Sequence, residues 1–154
     1  MEWTPKLRKY QMPAFLESVI KQSAYETWLR DRAMAHVRRD RKRGNKNATI
    51  EAYESAMHAA VIRSGGRDHY TGEQLDLMLI GTYRNLESKG RGRHYKAGFT
   101  LLPSIDHVHD GLGEADFRIC AWRTNDAKND LTHEDFVALC RSVVMHFDRG
   151  RPKS

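Results

Sequence analysis

A chain of 154 residues, 40% hydrophobic and 30% charged, has enough apolar material for a packed core and too much for a disordered chain. Its 26 Lys and Arg against 20 Asp and Glu leave a formal charge of +6, which gathers polyanions near the surface and makes nucleic acid the leading partner class. No apolar run nears the roughly 20 residues that span a bilayer, and Met1-Glu2-Trp3-Thr4-Pro5 lacks a signal-peptide core, so no membrane partner and a cytoplasmic location are expected.

From Pro13 to about Arg43, apolar residues including Phe15, Leu16, Val19, Trp28, Leu29 and Val37 recur at mostly three- and four-residue steps, which predicts one long amphipathic helix. Its basic end, Arg38, Arg39, Arg41, Lys42 and Arg43, fits a solvated helix terminus as well as a phosphate-contacting patch. After the Gly44-Asn45-Lys46-Asn47 turn, Thr49 can cap a second helix with Ile50, Tyr53, Met57, Ala60 and Val61 on its apolar face, ended by Gly65-Gly66. Two helices so joined pack as an antiparallel hairpin, with their aromatic residues in the core.

Tyr70-Thr71-Gly72-Glu73 reads as a turn, and Leu75 to Ile80 as a short apolar run that periodicity leaves open between strand and helix. The stretch Lys89 to Lys96 is basic and glycine-rich; its Arg91, Arg93 and Lys96 suit a loop that follows a phosphate backbone, and equally an ordinary surface loop. Phe99 to Val108 and Phe117 to Trp122 read as two strands joined by a Gly-containing loop. Thr124 can cap a short helix beginning near Asn125, and Thr132 a final helix bearing Phe136, Val137, Leu139, Cys140, Val143 and Val144. Cys120 and Cys140 both lie among apolar residues, where reduced, buried thiols are expected, with no disulfide framework and no zinc knuckle.

Asp106, His107 and Asn125 are the candidate residues for chemistry. A phosphodiester is hydrolysed by an activated water, a cation that absorbs charge on the phosphoryl oxygens, and stabilisation of the leaving oxygen. An Asp oxygen and an Asn carbonyl are hard ligands suited to Mg²⁺ or Mn²⁺, and a neutral imidazole takes a proton from water. Neighbouring strand residues point to opposite faces, so Asp106 and His107 share one site only if the chain turns there. Taken alone, Asp-His at a strand end is often a surface hydrogen-bonding pair. His109 is a possible second ligand, though a loop hydrogen bond explains it better. Arg118 and Arg123 fit a phosphate clamp or surface ion pairs with Asp116 or Asp126.

The segment Leu102-Pro103-Ser104-Ile105-Asp106-His107-Val108, followed by Asp116 to Leu131 with Asn125-Asp126-Ala127-Lys128, resembles the HNH, or ββα-metal, nuclease motif over roughly the last third of the chain. The resemblance implies that Asp106 and Asn125 are metal ligands, His107 the general base and Lys128 a supporting basic residue. The family's middle Asn braces the loop between the strands; its place falls on Asp116, which accepts hydrogen bonds but cannot donate as an amide does. The paired Cys-x-x-Cys knuckles of many relatives are missing.

The expected architecture is α+β: an N-terminal helical hairpin (residues 1–64) packed on an HNH-like core (65–150) with a covering C-terminal helix, folding as one compact unit. The expected function is metal-dependent cleavage of DNA by a single divalent cation and a His-activated water, with RNA open as a substrate. The alternative is a nucleic-acid-binding module of the same fold that no longer cleaves, for which the Asp116 departure is the best support. A structural or protein-interaction helical domain is a third.

Overall fold

A computed structural model of the chain describes residues 9–80 and 98–151. Arg91, Arg93 and Lys96 lie outside the described residues. The architecture is α+β: helices α1 (Ala14–Glu17), α2 (Gln22–Lys42) and α3 (Ile50–Ser64) precede strands β1 (Pro103–His107) and β2 (Phe117–Ala121), then helices α4 (Trp122–Lys128) and α5 (His133–Arg149). No helix among the described residues is long and apolar enough to cross a membrane.

The long N-terminal helix predicted from Pro13 to Arg43 is interrupted between Glu17 and Gln22. Gln22 explains the break, because its side chain accepts from Met12 N–H at 2.8 Å and donates to the Tyr10 carbonyl at 2.7 Å, folding the preceding segment back over the start of α2. Leu16, in α1 before the break, is fully buried in the core. From there α2 and α3 form the predicted hairpin, with Tyr25, Trp28, Leu29 and Ala33 of one helix and Tyr53, Met57 and Ala60 of the other buried. Thr49 caps α3 by accepting from Ala52 N–H at 3.2 Å, and Gly65 ends it in the left-handed conformation with φ +58°.

The two strands pair antiparallel with Asp106 opposite Arg118 and His107 opposite Phe117. Ile105, Phe117 and Ile119 of this ribbon join the helical residues in one hydrophobic core. A two-stranded ribbon is marginal alone, and packing of β2 on α3 is what holds it. Strand β1 starts at Pro103, later than predicted, because Phe99 to Leu102 closes a turn through Leu102 N–H to the Phe99 carbonyl at 3.0 Å. The apolar run before it forms one 3₁₀ turn at Leu77–Leu79.

Helix α4 begins at Trp122, so Thr124 lies inside it and does not cap it. The hydroxyl is used elsewhere, donating to Asp68 Oδ2 at 2.7 Å. Thr132 does cap α5, accepting from Asp135 N–H at 3.1 Å. The expected covering role of α5 is not met: no residue of this helix is buried, and Val144 and Phe147 are more than half exposed. Among the described residues its first turns meet the body, where the His133 ring stacks on Tyr70 and Phe136 meets Tyr70 edge-on. Its amphipathic pattern shows that one face favours burial and does not say against what. For the same reason Cys140, on α5, is exposed, while Cys120 on β2 is buried as expected.

Candidate active site

β1 ends at His107, and the chain turns immediately after it. Both Asp106 and His107 lie within the regularly paired strand, and their side chains take different partners, Tyr70 and Lys128 for Asp106 and Asp40 for His107, yet both residues line one cleft of about 500 Å³ together with Asn125 and Lys128 of α4. Each reaches it through its own hydrogen-bond set.

Asp106 is buried, with Oδ2 accepting from the Tyr70 hydroxyl at 2.6 Å and Oδ1 facing Lys128 Nζ at 3.2 Å. Both ends of the Asp106–Lys128 ion pair are under 10% exposed, so the charges face each other with little solvent between them. Burial, then the bond to Asp106, raises the Tyr70 hydroxyl above its ordinary value, which keeps it a proton donor to the carboxylate. Asn125 donates its amide N–H to Ser104 Oγ at 2.9 Å, tying α4 to β1.

His107 is held from the helical hairpin. Its Nε2 lies 2.7 Å from Oδ2 of Asp40, a fully buried residue of α2, and the same oxygen accepts from the Tyr53 hydroxyl of α3 at 2.6 Å. A carboxylate can only accept, so Nε2 is the nitrogen that donates, and in the tautomer this selects Nδ1 keeps the lone pair. Phe117 and His36 pack against the ring with centroids 5.0 Å away. The loop backbone closes over it at Gly111, whose φ is +82° and where an added Cβ would lie 2.8 Å from Nε2. Any side chain there is excluded both by strain and by contact.

The brace between the strands comes from an unexpected residue. Buried Asn45, in the turn between α2 and α3, donates Nδ2 to the Gly111 carbonyl at 2.8 Å and the Gly113 carbonyl at 3.3 Å. Asp116, where the brace was expected, is exposed and stands 3.9 Å from Arg63. Its backbone carbonyl accepts from Val108 N–H at 3.0 Å.

The Tyr70 turn is fixed by Asp68. One oxygen accepts from the N–H groups of Tyr70 and Thr71 at 2.6 and 2.9 Å, the other from Ala121 N–H and the Thr124 hydroxyl at 2.7 Å each. Burial pushes this carboxyl up, but the four hydrogen bonds outweigh it and hold the group below its ordinary value. Asp68 thus clamps the turn that carries Tyr70 to the junction of β2 and α4.

Other expected residues fall outside this cluster or at its edge. His109 is exposed at the cleft margin, since the strand stops before it can share a face with His107. Arg118 lies 2.9 Å from His133 Nδ1, and Arg123 pairs with Glu73, so neither meets Asp116 or Asp126. Sequence reasoning missed Asp40, Asn45 and Asp68 and read Tyr70 only as part of a turn, because each reaches the site from more than 30 positions away. The Tyr70 turn was the one signal available.

Among the described residues no three His, Cys, Asp or Glu side chains gather as a metal-ligand set. A divalent cation here would rely on Asp106 and Asn125. Each carboxylate oxygen of Asp106 accepts one hydrogen bond and retains a further lone pair, and the Asn125 nitrogen is the atom spent on Ser104, so two hard oxygen-bearing side chains remain to offer. That is the sparse protein contribution Mg²⁺ takes when it keeps most of its waters. Comparison with family models, curated proteins and solved structures finds no match for this chain.

Proposed function

We propose that the chain is a metal-dependent endonuclease of the HNH type that hydrolyses DNA phosphodiester bonds. The observation that carries the reading is the placement of His107 with Nε2 on buried Asp40, in the cleft that also holds Asp106 and Asn125. Asp40 keeps the imidazole in the tautomer whose Nδ1 can accept a proton, and it stabilises the imidazolium that follows.

In this reading Nδ1 of His107 takes a proton from water as the water oxygen bonds to phosphorus. The bond from phosphorus to the 3′ oxygen breaks, that oxygen takes a proton from solvent, and the products are a 5′-phosphate and a 3′-hydroxyl. Asp106 and Asn125 would hold Mg²⁺ or Mn²⁺, which supplies charge to the phosphoryl oxygens. Tyr70 and Asp68 keep Asp106 oriented, and Lys128 offsets its charge.

A binding module that does not cleave is the second reading, favoured by the Asp106–Lys128 pair, which already neutralises the carboxylate. Incubating the protein with supercoiled plasmid, with Mg²⁺ or Mn²⁺ and with a chelator, separates the two. Nicked and linear DNA formed only with the metal supports the enzyme; DNA retained in a mobility shift and uncut under every metal condition supports the module. RNA in the same assay defines the substrate class.

A further inference from the structure

The basic run at the end of α2 does not act as a single patch. Arg41 turns to the α2–α3 turn, where its Nε donates to the Ala48 carbonyl at 2.8 Å. Arg39 and Arg43, one helical turn apart on the same face, instead line the cleft that holds Asp106, His107 and Asn125. We infer that these two arginines are the phosphate-binding wall of the site, gripping the DNA backbone next to the phosphorus attacked by the water that His107 activates.

Arg39 is pre-set for this task by a buried histidine. Its Nη2 lies 2.8 Å from Nδ1 of His36, and the His36 ring in turn packs on His107 at 5.0 Å. Burial first, then the neighbouring Arg39, drives the His36 imidazolium down to about 2, so the ring stays neutral and its Nδ1 accepts from the guanidinium. The guanidinium is thereby anchored at one nitrogen while its other N–H groups remain to meet phosphate oxygens in the forked geometry arginine favours. Among the described residues no ion pair joins Arg39 or Arg43 to an acid, and both are exposed. Asp110, Asp126 and Asp130 also line the cleft, from the strand loop, α4 and the turn after it. The arginines therefore supply the cationic lining on the α2 side, where a phosphodiester approaching His107 passes.

This inference rests on the endonuclease reading, and its test keeps the two apart. In a His107→Ala background, which prevents turnover, the dissociation constant of a short duplex is measured from 50 to 300 mM salt for the parent, Arg39→Ala, Arg43→Ala and the double variant. Each lost phosphate contact lowers the slope of log affinity on log salt by about 0.9, so the double variant should lose about 1.8. Arg39→Lys in the active chain should keep most of the slope and lose turnover, because an ammonium lacks the fork. Circular dichroism verifies the fold, which two exposed residues should leave intact. An unchanged slope in the double variant overturns the inference, and so does an equal loss from Arg38→Ala, in the same run but outside the cleft. If the parent cuts plasmid and the arginine variants bind like it, only this inference fails; if the parent neither binds nor cuts DNA, the enzyme reading fails with it.

Discussion

Replacing Asp68 with Ala removes the acceptor that joins the Tyr70 turn to β2 and α4. The oxygen facing Tyr70 N–H and Thr71 N–H sits in a partly buried turn where water can replace it, so those two bonds contribute little to the net loss. The other oxygen serves Ala121 N–H and the Thr124 hydroxyl in a buried setting, and leaving a buried donor unmatched costs about 1–3 kcal/mol. Two such donors give roughly 4 kcal/mol, which for a chain of this size lowers Tm by about 8–16 °C. Asp68→Asn keeps one acceptor and presents an amide N–H to the other pair of donors, so about half the loss is expected. The folded-state carboxyl sits below its ordinary value, so the unfolded chain binds the proton more readily. The stabilisation is complete above the unfolded value near 3.8 and fades as pH falls below it, and the gap between parent and Asp68→Ala should narrow in the same window. Urea unfolding from pH 7 to pH 3 reads both quantities. A loss under about 1 kcal/mol at pH 7, or a gap that does not shrink in acid, would refute the clamp.

Asp40→Asn should leave the fold in place and lower cleavage by roughly 10²-fold or more in kcat with little change in DNA affinity, since it disturbs the tautomer of the base and not the binding surface; single-turnover kinetics beside a binding titration checks it, and ¹⁵N chemical shifts of His107 report the tautomer directly. Asn45→Ala should cost about 2 kcal/mol by freeing the Gly111 and Gly113 carbonyls, whereas Asp116→Asn, at an exposed pair, should stay within about 0.5 kcal/mol and retain activity; urea midpoints compare the two. His36, neutral when folded with its imidazolium held to about 2, favours the fold fully above the unfolded value near 6.5 and progressively less below it. The urea midpoint should therefore fall between pH 6.5 and 5, and His36→Gln should remove up to about 1.4 kcal/mol per pH unit of that slope.

The hairpin, the ribbon and the residues lining the cleft were legible because their signals are local. Thr49 and Thr132 announce helix starts, Gly65 an end, and Asp106-His107 stands a fixed distance before Asn125 and Lys128. What was not legible depends on pairing across the fold. Asp40 reads as one more charged residue in an arginine-rich run until β1 brings His107 to it from 67 positions away. Asn45 reads as a turn residue, and only the packed loop shows its amide spanning two carbonyls there. The covering role given to α5 failed differently: Val137, Val144 and Phe147 mark an apolar face, yet amphipathicity carries no address. The break at Gln22 escaped notice because apolar spacing continues through it while the side chain binds backbone ten and twelve residues earlier.

The central claim is that His107, set by Asp40, takes the proton from the attacking water. Single-turnover cleavage of plasmid by His107→Ala, across a Mg²⁺ titration and beside the parent, tests it most directly. The account predicts a loss of about 10²–10⁴-fold that added metal does not recover, with DNA binding retained. Cleavage at the parental rate, or a defect cured by metal alone, would contradict it.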